Sequence, residues 1–297
     1  MDRLEAMLVF VTVAEKQSFA AAARTLGLSP ARVTRAVAVL EQRCGALLLH
    51  RTTRVVRLTE AGAHYHTQCK RILSEVDDAE ASVAASQRAL RGQLSITAPV
   101  LFGRLHVTPV VLAFLAQHTQ VAVRAQFRDR VIDLLEQNVD VAIRIAHLPD
   151  SSFRAIRVGS VRRVVCGSPA YLRAHGTPQH PRDLLEHELI AFSGLGEVRA
   201  WAFHVGGKVE TFQPRPRLTV NTGDLALDAA RSGYGLTKLL SYQVEDDVRN
   251  KRLRVVLEDF EGPEVPVHVV HVEGKHASAR IRAFVDFAVD TLRAVLA

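Results

Sequence analysis

The sequence predicts an N-terminal all-α winged helix-turn-helix, a long linker helix and a C-terminal α/β domain. Three observations carry that expectation. Two capped helical runs and a basic hairpin fill residues 18–54, an unbroken helical pattern follows over 59–90, and strand-like and helix-like runs alternate thereafter. Such alternation argues for an α/β domain with a largely parallel sheet.

Leu4, Met7, Val11 and Ala14 recur at helical spacing and offer a helix that closes a three-helix core. Ser18 is an N-cap, since its hydroxyl can accept from an orphan amide of the first turn. Phe19, Ala22, Ala23 and Leu26 form an apolar stripe, Gly27 stops the helix and Leu28 plugs the turn. Ser29 then caps a helix with Pro30 at its first position, where a missing N–H costs nothing. Val33, Ala36, Val37 and Leu40 turn to the core, which leaves Arg32, Thr34 and Arg35 outside beside the small Ala31 and Ala38. A helix of this kind fits the major groove. Arg can bond a guanine edge, and Thr can bond a base or contact a thymine methyl. The helix N-termini at Ser18 and Ser29 suit phosphate. Leu47–Leu49 and Val55–Leu58 read as two short strands, and the Arg51, Thr52, Thr53 and Arg54 between them read as a basic wing for phosphates or the narrow minor groove. The plainer reading, a solvated helical hairpin, leaves the two caps and the wing without a common purpose.

The stretch FVTVAEKQSFAAAARTLGLSPARVTRAVAVLEQRCGALLLHRTTRVVRLTEAG closely resembles the N-terminal domain of LysR-type transcriptional regulators, and a weaker resemblance continues to the C-terminus. Thr34 stands where the family often has Ser, Cys44 where Leu is usual and Leu49 where Phe is usual. The resemblance implies a homo-oligomeric, DNA-binding transcription factor. Its C-terminal domain would consist of two α/β subdomains like a periplasmic binding protein, with a small-molecule effector of unknown identity between them and no other cofactor. The implied partners are double-stranded DNA and further copies of the chain, as a homodimer or homotetramer through the linker helix and effector domain. RNA polymerase is a further candidate.

The bulk numbers agree with a DNA partner. The chain has 297 residues, 48% of them apolar, and a net charge of +7. Up to Gly62, nine basic residues stand against five acidic ones. Cys44, Cys69 and Cys166 are scattered and make no CxxC pair or disulfide framework. No signal peptide is legible and no apolar run approaches the ~20 residues that span a bilayer, so the expected location is the cytoplasm, at the nucleoid, without a membrane partner.

From Thr59 to about Leu90 the positions Tyr65, Cys69, Ile72, Val76, Ala79, Val83, Ser86 and Leu90 follow steps of four and three, a heptad seam. It is read as a dimerisation helix, with packing on a neighbouring domain as the alternative. Arg91, Gly92 and Gln93 then read as a hinge. The expected domains are a winged helix-turn-helix over 1–58, a linker helix over 59–90 and an effector domain over 91–297. Its subdomain I spans about 93–161 and 266–297, and subdomain II about 162–265. This subdomain division is what the LysR resemblance implies, with the chain crossing near Val161 and near Val265.

Within the effector domain, LSITA reads as a strand, Phe102–Gln117 as a helix, VAVRAQF as a strand, Val131–Gln137 as a helix ended by Asn138, and VDVAIRI as a strand. Ser168 and Pro169 start a helix that ends at Gly176. Gly206 and Gly207 join WAFHV to KVETF as a hairpin. RLTVN is a strand, Asp224–Arg231 a helix stopped by Gly233, and VPVHVVHV a strand. Ala279–Leu296 is a closing helix with Ile281, Phe284, Ala288, Leu292 and Val295 inward. Ligands of open α/β sheets bind beyond the carboxyl ends of strands. That points to Pro99, Val100 and Leu101 after the first strand and to Arg128 and Asp129 after the second. By analogy with the LysR family, Phe192, Ser193, Gly194, Asn221, Thr222 and Gly223 face them from subdomain II. Each of these also fits an ordinary βα turn. Many family members place a carboxylate-binding Ser or Thr where this chain has Pro99 and Val100, which implies an aromatic or less anionic effector.

Other signals carry less. The 13 histidines lack metal-ligand spacing, as with His64 and His66 or His268 and His271. Ser193 in AFSGLG lacks the first Gly of a nucleophile elbow. Cys166 sits in an apolar run without a resolving partner, so an inert thiol is expected over a redox sensor. The chain is not expected to be an enzyme. The competing readings are a small-molecule-binding or enzymatic α/β protein with an incidental helix-turn-helix.

Overall fold

The computed structural model describes residues 2–51, 56–83, 90–129, 139–148, 153–193, 200–272 and 278–296. It divides into two units, Met1–Ala89 and Leu90–Ala297. The expected helix over Val131–Gln137, Asn138, the wing tip Thr52–Arg54 and the linker positions 84–89 lie outside the described residues.

In the first unit, α1 (Arg3–Lys16), α2 (Phe19–Leu26) and α3 (Pro30–Cys44) surround one core, followed by β1 (Leu49–Arg51), β2 (Val56–Leu58) and α4 (Glu60–Val83). The caps form as the sequence requires. Ser18 Oγ accepts from the Ala21 N–H at 3.2 Å, and Ser29 Oγ accepts from the Arg32 N–H at 3.3 Å. Gly27 adopts the left-handed conformation, φ +64°. Met7, Phe10 and Val11 of α1 pack with Val33, Ala36, Val37 and Leu40 of α3. β1 and β2 pair antiparallel, Leu49 opposite Leu58. Glu41 ties this ribbon to α3, since its Oε1 accepts from the N–H groups of Leu48 (3.0 Å) and Leu49 (3.2 Å).

The heptad reading of α4 needs correction over its first half. Cys69 is buried, and Tyr65 and Ile72 pack on the same core, with the Tyr65 ring 5.7 Å from that of Phe10. α1 presents a second apolar face through Phe10, and the nearest chain to cover it is α4. Val76 is the next seam position and is half-buried.

The second unit holds two five-stranded sheets. The first has the order β4-β3-β5-β14-β6, built from β3 (Gly92–Ala98), β4 (Val121–Phe127), β5 (Val141–Ile145), β6 (Phe153–Val161) and β14 (Val265–Val272). The second has the order β11-β8-β12-β7-β13, from β7 (Arg163–Gly167), β8 (Leu189–Phe192), β11 (Leu218–Val220), β12 (Leu236–Leu240) and β13 (Arg254–Val256). The chain passes between the sheets at Arg162 and again between β13 and β14. A hairpin of β9 (Trp201–Val205) and β10 (Lys208–Phe212) turns at Gly206 and Gly207, both at positive φ.

Both sheets are mixed, not largely parallel. β14 returns directly from the second sheet and runs antiparallel to both β5 and β6, while β7 runs antiparallel to β12 and β13. Parallel neighbours need a crossover helix, and strands that enter or leave a lobe directly have none. The hinge reading is also displaced. Gly92 and Gln93 already belong to β3, paired with Val121 and Ala122.

α5 (Val100–Phe102), a π-helical segment (Gly103–Val107) and α6 (Thr108–Gln117) run on as one helical stretch, so the helix starts at Val100, before the expected Phe102. This stretch of 18 residues is long and apolar enough to cross a membrane, against the expectation that no run comes close. Its Phe102, Val107, Val110 and Phe114 are buried in the α/β core, which accounts for the apolarity. α7 (Pro169–His175), α8 (Gly223–Arg231) and α9 (Ser241–Arg249) belong to the second lobe, and α10 (Ala279–Leu296) returns to the first. There the Phe284 and Phe114 rings meet edge-on at 5.1 Å. Phe284, Val285, Ala288, Val289 and Leu292 form the inward stripe, whereas Val295 is exposed. The last turn sends Leu296 to the sheet instead, where a Cβ on Gly159 would meet it at 2.6 Å.

Candidate DNA interface and effector cleft

On α3, Val33, Ala36, Val37 and Leu40 are fully buried, while Arg32, Thr34 and Arg35 are exposed with Ala31 and Ala38. The first turns of this helix therefore expose small residues, one hydroxyl and two guanidiniums, with Val39, Gln42 and Arg43 exposed farther along. Thr34 Oγ1 donates to the Pro30 carbonyl at 2.9 Å. Its proton is committed, so toward a ligand the oxygen only accepts, which suits the amino groups of adenine or cytosine. Arg32 Nη2 donates to Glu5 Oε1 of α1 at 2.6 Å. Arg51 ends β1, and the Thr52, Thr53 and Arg54 that follow are outside the described residues.

Where α4 begins, Thr59 Oγ1 accepts from the Gly62 N–H at 2.8 Å and donates to the Leu47 carbonyl at 2.7 Å. Leu48 closes so tightly on α4 that a Cβ on Gly62 would lie 1.9 Å from its carbonyl oxygen.

In the second unit, the Val100 N–H donates to Asp129 Oδ1 at 2.9 Å, which brings Pro99 and Val100 together with the end of β4. Pro99, Val100 and Asp129 are half-buried and Arg128 is exposed. The Leu101 side chain is buried in the core cluster to which both lobes contribute. Burial pushes the Asp129 carboxyl up, the Val100 N–H opposes this, and Asp224 at the start of α8 pushes it further up. Two carboxylates from different lobes thus share one neighbourhood.

On the other lobe, parallel pairing of β8 with β11 sets Phe192 beside Val220. The Ser193 N–H donates to the Val220 carbonyl at 2.8 Å, so Phe192 and Ser193 adjoin Asn221, Thr222 and Gly223. Gly223 is buried, and a Cβ there would meet Gln243 Nε2 at 2.7 Å. Gly194 lies outside the described residues.

Several residues at this junction were not singled out from sequence. Tyr242 of α9 stands against Phe102 at 5.1 Å and His106 at 5.7 Å, ring to ring. Arg104 reaches Asp224 at 3.9 Å. Burial raises the Tyr242 hydroxyl, reinforced by Asp129 and Asp224. Burial lowers the His106 imidazole against an opposing pull from Glu245, and its buried Nε2 meets no hydrogen-bond partner among the described residues. The sequence signal for Tyr242 is the pair LTKLL–SYQVEDDVR, a strand feeding a helix.

Cys166 is fully buried, and burial aided by Asp247 pushes its thiol up to about 12. A groove of about 420 Å³ lies along β13, lined by Arg162, Lys251 and Arg254 among others, and contains none of the expected effector residues. Among the described residues no three His, Cys, Asp or Glu side chains gather as a metal site.

A helix-turn-helix with an exposed basic face and a two-lobed α/β domain define a ligand-responsive DNA-binding protein class. Comparison with known proteins gives the family. Residues 4–63 match the model of the bacterial regulatory helix-turn-helix protein, lysR family, and residues 87–293 match the LysR substrate binding domain. An HTH-type transcriptional regulator of Xanthomonas campestris is 37% identical over 96% of this chain and 84% of its own length. CrgA of Neisseria meningitidis serogroup B is 32% identical over 97% of this chain and 96% of its own. The solved structure of CrgA, a LysR-type transcriptional regulator, superposes with a TM-score of 0.63 at 31% identity, covering 97% of this chain and 98% of that one. The chain belongs to the LysR family of transcriptional regulators and is not an enzyme.

Proposed function

We propose that this regulator reads a pseudo-palindromic DNA site as a homodimer or homotetramer and changes its grip when a small molecule enters the interlobe cleft. The observation that carries the DNA assignment is the two-sided α3, with an apolar face spent on the core and Arg32, Thr34 and Arg35 left outside. Ser18, Ser29 and Pro30 place helix N-termini toward phosphate, and Arg51, Thr52, Thr53 and Arg54 form the wing that grips the flanking backbone.

The working division is a reader over 1–58, a linker over 59–90 and an effector domain over 91–297. Because Tyr65, Cys69, Ile72 and Leu90 are used within the chain, self-association falls to the seam positions from Val76 to Ser86 and to the effector domain. The effector contacts Pro99, Val100, Leu101, Arg128, Asp129, Phe192, Ser193, Gly194, Asn221, Thr222 and Gly223. The Asp129 and Asp224 carboxyls at that cleft disfavour a further negative charge and support an aromatic or less anionic ligand. The site of action is the cytoplasmic nucleoid, with RNA polymerase as a further partner.

Genome-wide mapping of bound DNA, followed by salt titration on a recovered site, tests this. Arg54→Ala should weaken binding to all sequences and reduce the salt slope by about one. Binding without sequence preference, or a salt slope unchanged by that variant, would overturn the wing assignment.

A further inference from the structure

Arg32 is held at both ends. Its own N–H donates to the Ser29 cap at 3.3 Å, and its guanidinium donates through Nη2 to Glu5 Oε1 at 2.6 Å. Both side chains remain open to solvent, at 54% for Arg32 and 33% for Glu5. Arg32 sits in the first turn of α3, on the flank of the exposed face that turns toward α1.

An exposed ion pair contributes little to stability. Its effect here is directional. A guanidinium has five donors in a planar fork, and one carboxylate oxygen on Nη2 leaves the remaining donors free for two acceptors in one plane. The major-groove edge of guanine offers such a pair, N7 and O6. Fixing the fork beforehand removes rotamer freedom that DNA binding would otherwise have to remove. The carboxylate also biases Arg32 against swinging to a phosphate, by no more than an exposed pair is worth.

We propose that Glu5 is a positioning residue for base readout: it sets the Arg32 guanidinium to read one guanine per half-site. This rests on α3 being the reading helix. Glu5 touches no DNA itself and acts through Arg32.

The test is selection from a randomised duplex library with the full-length protein, then binding to the selected site and its single-base variants across a salt series. Wild type should select guanine at one position per half-site. Arg32→Ala should lose that discrimination alone, by ~5–100-fold. Glu5→Gln should relax the same position by about two- to fivefold, the range an exposed pair spans, with salt slope and melting temperature unchanged. Arg32→Lys, a point charge without a fork, should not restore the preference.

If Arg32→Ala alters the preference and Glu5→Gln does not, the positioning role is wrong. A Glu5→Gln effect spread evenly over all sequences, or accompanied by a lower melting temperature, makes the pair structural and also overturns it. If Thr34→Ala, Arg35→Ala and Arg32→Ala all leave every preference intact, the reading-helix assignment itself falls.

Discussion

Replacing Gly62 with Ala should be one of the most damaging single-methyl additions in the first unit. The added Cβ would sit 1.9 Å from the Leu48 carbonyl oxygen and 2.8 Å from its carbon. Both are backbone atoms, so α4 or the ribbon must move by more than an ångström. Neither is free to do so. The Leu48 carbonyl accepts from the Thr59 N–H at 3.0 Å, the Leu48 N–H is held by Glu41, and Gly62 itself donates to the Thr59 cap. Losing that cap costs about 1 kcal/mol, the carbonyl's hydrogen bond about 1 kcal/mol, and the overpacked contact a further ~1–3 kcal/mol. A total near 3–5 kcal/mol approaches the stability of a small unit.

Gly27→Ala serves as the control. At φ +64° nothing lies within 4 Å of its added Cβ, so only backbone strain of ~1–2 kcal/mol is expected. Urea unfolding of the full chain followed by circular dichroism, with DNA affinity measured in parallel, compares the two. A Gly62→Ala chain within 0.5 kcal/mol of wild type (about the scatter of an ordinary surface substitution), or one no worse than Gly27→Ala, would refute the close-approach argument.

The remaining predictions are these. Thr34→Ala and Arg35→Ala should each shift the preferred DNA sequence by ~1–3 kcal/mol at one position, read by competition binding. Asp247 is buried and ion-paired with Arg231 and Arg252. Burial raises its carboxyl, but the hydrogen bonds from those two arginines win and hold it below the usual carboxylate range. Its contribution is therefore complete above the unfolded carboxylate pKa of ~4 and is lost as pH falls through the lower folded value. Asp247→Asn should cost about 2 kcal/mol at neutral pH and flatten the acid limb of a pH–stability curve. Under native conditions iodoacetamide should modify exposed Cys44 and spare buried Cys69 and Cys166 until the chain unfolds, which peptide mass mapping would show.

The reader was largely legible because its signals are local. Ser18, Gly27, Ser29 and Pro30 specify their own backbone conformations, and Val33 to Leu40 keep a clean helical period. The seam on α4 was misjudged over Tyr65 to Ile72 because a heptad pattern states that a face is covered, not by what. Phe10, the residue that covers it, falls between the positions of α1 that spacing selected. In the effector domain β3, β4, β5 and β14 are legible as apolar runs flanked by turns, whereas β6, β8, β12 and β13 are not, and no strand's direction within the two five-stranded sheets is. Direction depends on which strand returns from the other lobe, and β14 carries no mark of that in VPVHVVHV. The cleft was least legible. Turn residues such as Asn221 and Gly223 can be placed by position, whereas Tyr242, His106 and Arg104 acquire meaning only when the lobes bring them together.

Glu41 has a consequence for the DNA as well as for the protein. By accepting from both Leu48 and Leu49 it locks the last turns of α3 to the first strand of the ribbon. On the proposed reading, α3 in one groove and the ribbon that leads to the wing then meet the duplex as one tied piece. Such a piece cannot adapt to local groove width, so the duplex must supply the adjustment. Base steps between the two contacts, which no side chain touches, should then influence affinity through the cost of bending them.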